Sequence, residues 1–334
     1  MTQITGDYVT IANQTPRPVS GFATVYMAMF VMAAGNFAMM SIFPAIARSS
    51  GIPDALMVGV QSLSAAISIF TTPYWAGRSD HVGRKRIALL GIAGFTIASA
   101  LTAGAIIIAT HRLVPVLVAV AALAASRAVF GAIGLAAMPA IQAHVADETP
   151  PVMRTRALAS LMSANALGTV VGPGIAPFLI LPVLGLAGPQ TLFFFAGALI
   201  LVLVRIRLPD KPALLHLSDQ AATPRLAVLR QPTVWPFVAY MVLLSGFQAS
   251  NLQILGFVIM DRTGFSPVEA QPYTGMAIMA GATAAVAIQL GLLRRLHLRP
   301  FTLMIGGISI VIVGNLLMIA ASNYYLVASS FVVS

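Results

Sequence analysis

The chain has 334 residues, 58% of them hydrophobic and only 8% charged, with no cysteine. Soluble globular chains are nearer half apolar and a quarter charged, so a mean hydropathy of +0.91 excludes a soluble domain and defines an integral membrane protein. The net charge of +10 would suit a nucleic-acid partner, but its placement, given below, argues against one, and the lack of cysteine excludes a disulfide framework.

Residues 1–18 form a polar tail without a basic region ahead of a short apolar core, so no cleavable signal peptide is expected. Apolar runs of about 20 residues follow, the length a helix needs to cross the hydrocarbon. Backbone groups in lipid are satisfied within a helix, and the runs lack the alternation of barrel strands. Span 1 is predicted from Phe22 to Ala47, span 2 from Ala55 to Ala76, and span 3 from Ile87 to Ala109. Span 4 runs from Pro115 to Ala143, ahead of a polar loop from His144 to Arg156. Span 5 covers Leu158 to Leu181, broken at Gly172-Pro173-Gly174, and span 6 covers Pro189 to Val204. The longest polar stretch, Arg205 to Gln231, reads as a linker. Span 7 follows from Trp235 to Met260, span 8 from Pro267 to Leu293, and span 9 from Pro300 to Ala321. A tenth span begins after Asn323 and is cut short at Ser334.

The predicted domains are a cytoplasmic tail (1–18), an N-terminal six-helix half (19–205), a cytoplasmic linker (206–232) and an incomplete C-terminal half (233–334). Basic residues mark cytoplasmic segments. With the N-terminus inside, fifteen of the nineteen Lys and Arg residues fall on that side. Most of these charges therefore read as topological anchors. Glycines Gly77 and Gly291 recur before basic hinges at matching places in the two halves. Two parallel repeats of an even number of spans are one plan of secondary transporters.

Between spans 2 and 3 the chain reads Gly77-x-x-Asp80-x-x-Gly83-Arg84-Lys85. Gly83 can adopt positive φ and reverse the chain. Asp80 can pair with Arg84, while Arg84, Lys85 and Arg86 anchor span 3 at the headgroups. In span 4, Arg127-x-x-x-Gly131-x-x-Gly134 buries a charge far from either end. Such a charge costs about 2.5–3.5 kcal/mol on insertion scales unless it faces a cavity or a partner, and the two glycines permit close helix approach. In span 5, Gly168-x-x-x-Gly172-Pro173 is a small-residue face with a proline kink.

These three stretches resemble the signature motifs of the major facilitator superfamily (MFS), and span 4 leading into Asp147-Glu148 and then Arg154-x-Arg156 resembles its tetracycline and multidrug exporter branch. The span-5 motif departs from the antiporter pattern at Ala159, Ala176 and Pro177. The resemblance implies an all-α membrane fold of two six-helix halves, of which about nine complete helices and the start of a tenth are present. It implies a secondary transporter of a small organic molecule by alternating access, of exporter type, in the cell inner membrane. A monomer is expected. The alternative is a non-transporting remnant or membrane scaffold.

By that resemblance spans 1, 4, 7 and 10 line a central cavity, so the substrate-binding candidates are Asn36, Arg127, Gln248 and Asn251. Ser245, Gln248 and Asn251 share one face of span 7 by spacing. The hinge residues would form a conformational latch, with Asp80 docking on an eleventh span and Arg84 as its local partner. Gly131, Gly134, Gly168, Gly172 and Pro173 would serve packing and kinking. None of the nine acidic residues lies mid-span, so a proton is a candidate coupling ion without an obvious site. No HExxH, Walker loop or histidine cluster is present, and neither enzyme activity, cofactor nor metal is expected.

Overall fold

The computed structural model describes residues 21–209, 234–288 and 300–333. Helix α1 (Phe22–Ser50) ends at Gly51, which takes positive φ, while the Ile52 N–H bonds back to the Ala47 carbonyl 2.8 Å away. That Schellman-type closure fits a glycine just past a helix. Pro53 then starts α2 (Asp54–Val82). Gly83, at φ 106°, separates it from α3 (Arg84–Thr110), as its predicted role requires. Helix α4 (Val116–Ala132) passes through a 3₁₀ turn at Gly134–Ala136 into α5 (Ala137–Glu148). Helix α6 (Pro151–Ile175) contains Pro173 and ends in a 3₁₀ turn at Ala176–Leu179, and α7 (Gly188–Arg207) completes the first group. The second group is α8 (Trp235–Thr263), α9 (Pro267–Ala287), α10 (Pro300–Ala320) and α11 (Tyr324–Val333).

Two boundaries differ from the sequence-based ones. Helix α2 runs on to Val82, so Gly77 and Asp80 are helical and the turn between spans is Gly83 alone. The expected loop from His144 to Arg156 contracts to Thr149-Pro150. Pro150 holds Thr149 extended (φ −106°, ψ 130°), as a residue before proline prefers, and Pro151 is tolerated in the first turn of α6. Among the described residues seven helices, counting α4 and α5 as one, are long and apolar enough to span a membrane, with shorter apolar stretches at Met304–Ala320 and Tyr324–Val333. Helix α9 spends its first turns on Glu269, Gln271, Tyr273 and Thr274, which dilutes its apolar run. The later hinge at Gly291 and Arg294 and most of the linker lie outside the described residues.

Helix α1 is the pivot. It packs on α6, α7 and α3 of its own group and on α8 and α9 of the other. Its core is small: Ala28, Ala34, Ala38 and Ala45 alternate with Met39, Ile42 and Ile46, all buried. A Cβ at Gly168 would lie 2.6 Å from the Phe30 carbonyl, and one at Gly172 would overlap the Ala34 carbonyl. Those glycines let the α1 and α6 backbones approach closely, the usual means of helix association in lipid. Ser266 and Glu269 form a capping box at the start of α9.

Candidate functional site

Arg127 sits mid-helix on α4 and is 5% exposed. Gly131, one turn on, lies against the α2 backbone at Ser64, where a Cβ would come within 2.5 Å of the Ser64 carbonyl. That approach brings Ser64 to the arginine. The Arg127 Nη2 donates to Ser64 Oγ at 2.9 Å and to Asn36 Oδ1 of α1 at 3.2 Å. The guanidinium carbon stands 4.8 Å from the centre of the Phe130 ring, in cation–π range. Nε has no partner, and no carboxylate pairs with this arginine among the described residues.

The break after α4 is braced by α2. Ile133 leaves helical geometry (φ −125°, ψ −45°), which disturbs the hydrogen bonds of the carbonyls just before it. Thr71 Oγ1 donates to the Gly131 carbonyl at 2.8 Å, and Trp75 Nε1 donates to that of Ala132 at 2.6 Å. Thr71 and Trp75 are one turn apart, so consecutive carbonyls are met from one face of α2. The bend therefore lies next to the arginine.

A cavity of about 390 Å³ opens between the two groups of helices. Gln248 and Asn251 of α8 line it, with Phe37 of α1, Thr169 of α6 and Phe331 of α11. Asn251 is buried and its Nδ2 has no partner. The four substrate candidates thus fall into two pairs. Arg127 and Asn36 meet inside the first group, and Gln248 and Asn251 share the cavity between groups. Asn36 and Phe37 are neighbours on α1, one turned to each place.

Sequence reasoning marks Ser64 and Gln61 as part of a polar stretch of span 2, and Gln61 as a candidate, but places neither in the substrate site, and it gives no role to Thr169. The signal for the first two was their i, i+3 spacing on a polar face of span 2.

At the α2–α3 hinge, Arg84 contacts Asp80, donates to Ser79 Oγ at 2.6 Å and reaches Asp147 of α5 at 3.1 Å. All these partners belong to the first group. At the opposite end Arg48 bonds Asp54 through Nε (2.9 Å) and reaches Asp261 of α8 at 3.0 Å. Its guanidinium lies 5.7 Å from the Phe257 ring centre. Further contacts between the groups lie on that side. Ser62 donates to Gln253 at 3.2 Å. A Cβ at Gly256 would meet Pro44 at 2.6 Å, and one at Gly275 would meet the Pro173 carbonyl at 2.5 Å. Toward the hinge the first half of α8, with Trp235, Phe237, Met241 and Gln248, is exposed.

This arrangement defines a multi-pass α-helical membrane protein with two packed groups of helices and, between them, a largely apolar cavity that carries a few polar side chains. The profile of the Major Facilitator Superfamily matches residues 25–334, and the chain belongs to that family. It is similar to Multidrug resistance protein 2 of Bacillus subtilis (strain 168), 28% identical over 174 residues, which are 52% of this chain and 39% of that protein. The match thus spans well under half of that relative's length. Among solved structures, a D-xylose-proton symporter superposes with a TM-score of 0.67 at 18% identity, over 93% of this chain and 78% of that one. A bacterial homologue of the human lysosomal transporter Spinster, inward-facing and unoccupied, gives 0.65 at 15% identity, over 93% and 71%. At these identities the superpositions show the fold alone.

Proposed function

We propose that the chain belongs to a secondary active transporter that moves a small organic molecule by alternating access, in the export direction. One observation carries it: a largely apolar cavity with Thr169, Gln248 and Asn251 on its wall, between two groups of helices joined on the Arg48 side of the membrane, with the hinge-side half of α8 largely exposed among the described residues. Two rigid groups that rock about such a cavity would expose it to each side in turn. Asn36, Arg127, Gln248 and Asn251 would bind the substrate, with Ser64 holding the arginine in place. An arginine buried without a carboxylate favours a polar or anionic group on the substrate, since an anion would supply the missing charge partner. Export is favoured by the likeness to a multidrug resistance protein, and proton coupling by the fold shared with a D-xylose-proton symporter. The distribution of arginine and lysine supports a cytoplasmic N-terminus and a cell inner-membrane location.

Transport assays with anionic and cationic candidates, on wild type, Arg127→Ala and Arg127→Lys, test this reading. Both variants are expected to lose anion transport, because lysine keeps the charge but lacks the planar guanidinium, whose Nη2 serves Asn36 and Ser64 and leaves further donors for an anion. Unchanged anion transport in both would refute the arginine's role.

A further inference from the structure

A second, smaller cavity lies between the larger one and the Arg48 end. It measures about 10 Å³, room for one water-sized group, and is lined by Gln61 of α2, Gln253 and Phe257 of α8, and Met40, Phe43 and Met57. Gln61 is 5% exposed, yet neither its Oε1 nor its Nε2 has a hydrogen-bond partner. A buried polar group left unpaired is destabilising, because its hydrogen bonds to water are lost and not replaced. Apart from Gln253 the side chains around it are apolar and offer no bond. Gln253 enters from the other group of helices, its Oε1 accepting from Ser62 at 3.2 Å.

From this geometry we infer that Gln61 and Gln253 form a subsite for one neutral hydrogen-bonding group of the transported molecule, a hydroxyl. The inference deepens the transport reading above and rests on it. A primary amide presents a donor and an acceptor side by side, and a hydroxyl, which both donates and accepts, complements it within the space of one water. Among the described residues no charged side chain lines this cavity, so it selects a neutral group where Arg127 would meet an anionic one. One amide comes from each group of helices. A ligand group lodged there touches both halves at once, and its binding bears on their closure.

The test uses the full chain with Gln61→Met and Gln253→Met, each close in volume to the native residue and without the amide. Two export probes differ in chemistry: tetracycline carries hydroxyls and a carboxamide, and tetraphenylphosphonium carries no hydrogen-bonding group. Each variant is expected to cut tetracycline export relative to tetraphenylphosphonium export by roughly tenfold, as when a buried polar site loses its partner. Without ligand, Gln61→Met is expected to raise Tm by about 2 °C, because an unpaired buried amide is removed. A fall in Tm would mean that the amide is a satisfied structural bond, and would overturn the inference. So would equal loss of both probes. If wild type exports neither probe, the export reading fails, and the direction of the Tm change alone decides the subsite.

Discussion

Two charged clusters at opposite ends of the molecule are built alike and act differently. Each centres on one arginine with two aspartates, beside a glycine at positive φ: Arg84 with Asp80 and Asp147 next to Gly83, and Arg48 with Asp54 and Asp261 next to Gly51. The first ties α2, α3 and α5 together within one half. The second reaches across to α8. The same chemistry therefore stiffens a half at one end and joins the halves at the other. Its contribution to closure depends on which element supplies the second carboxylate, since both clusters are partly exposed and exposed ion pairs are individually weak.

The largest expected effect comes from prying the joined end apart sterically. Gly256→Leu places a side chain where even a Cβ meets Pro44 at 2.6 Å, whereas a Cβ at Gly77 meets nothing within 4 Å. Gly256→Leu should lose most folded protein on size-exclusion chromatography, and Gly77→Leu should keep it. Equal yields would remove the distinction between a packed end and an open one.

Arg84→Ala comes next. It removes contacts to Ser79, Asp80 and Asp147 and should lower stability by about 1 kcal/mol, discounted for partial exposure. Thermal unfolding would show this loss. Spin labels at Ala55 and Val268 should report an unchanged spacing between halves. A changed spacing would mean that the hinge cluster also couples the halves.

Asp261→Asn is smaller in energy and more specific. It breaks the cross-half ion pair and leaves Arg48 bonded to Asp54. The same labels should show the open population at that end rising by up to about fivefold, equivalent to at most ~1 kcal/mol. High salt should reproduce part of that shift and none in the variant. Thermal stability should barely move.

Much of the fold was legible because lipid imposes a simple length rule on apolar runs. The reversal at Gly83 was legible because glycine takes positive φ without strain. Helix ends were not. Gly77 to Val82 continue α2 although their polarity marks a hinge, since a helix emerging from the bilayer keeps its hydrogen bonds whatever its side chains. The pairing of Arg127 was half legible: its depth demanded a partner, Asn36 was named as its neighbour in the site, and Ser64 was not. The Arg48–Asp261 contact and the unpaired Gln61 amide were out of reach, because both depend on how α8 sits against α1 and α2. No local spacing encodes that.

The central claim is that the cavity at Gln248 and Asn251 opens toward the hinge end and is closed at the Arg48 end. The chain has no cysteine, so one introduced at Gln248 gives a signal without background. A membrane-impermeant thiol reagent added without substrate should label Gln248→Cys from the hinge side at least about tenfold faster than from the Arg48 side, a bias of ~1.4 kcal/mol or more. Faster labelling from the Arg48 side, or equal labelling from both, would contradict the account.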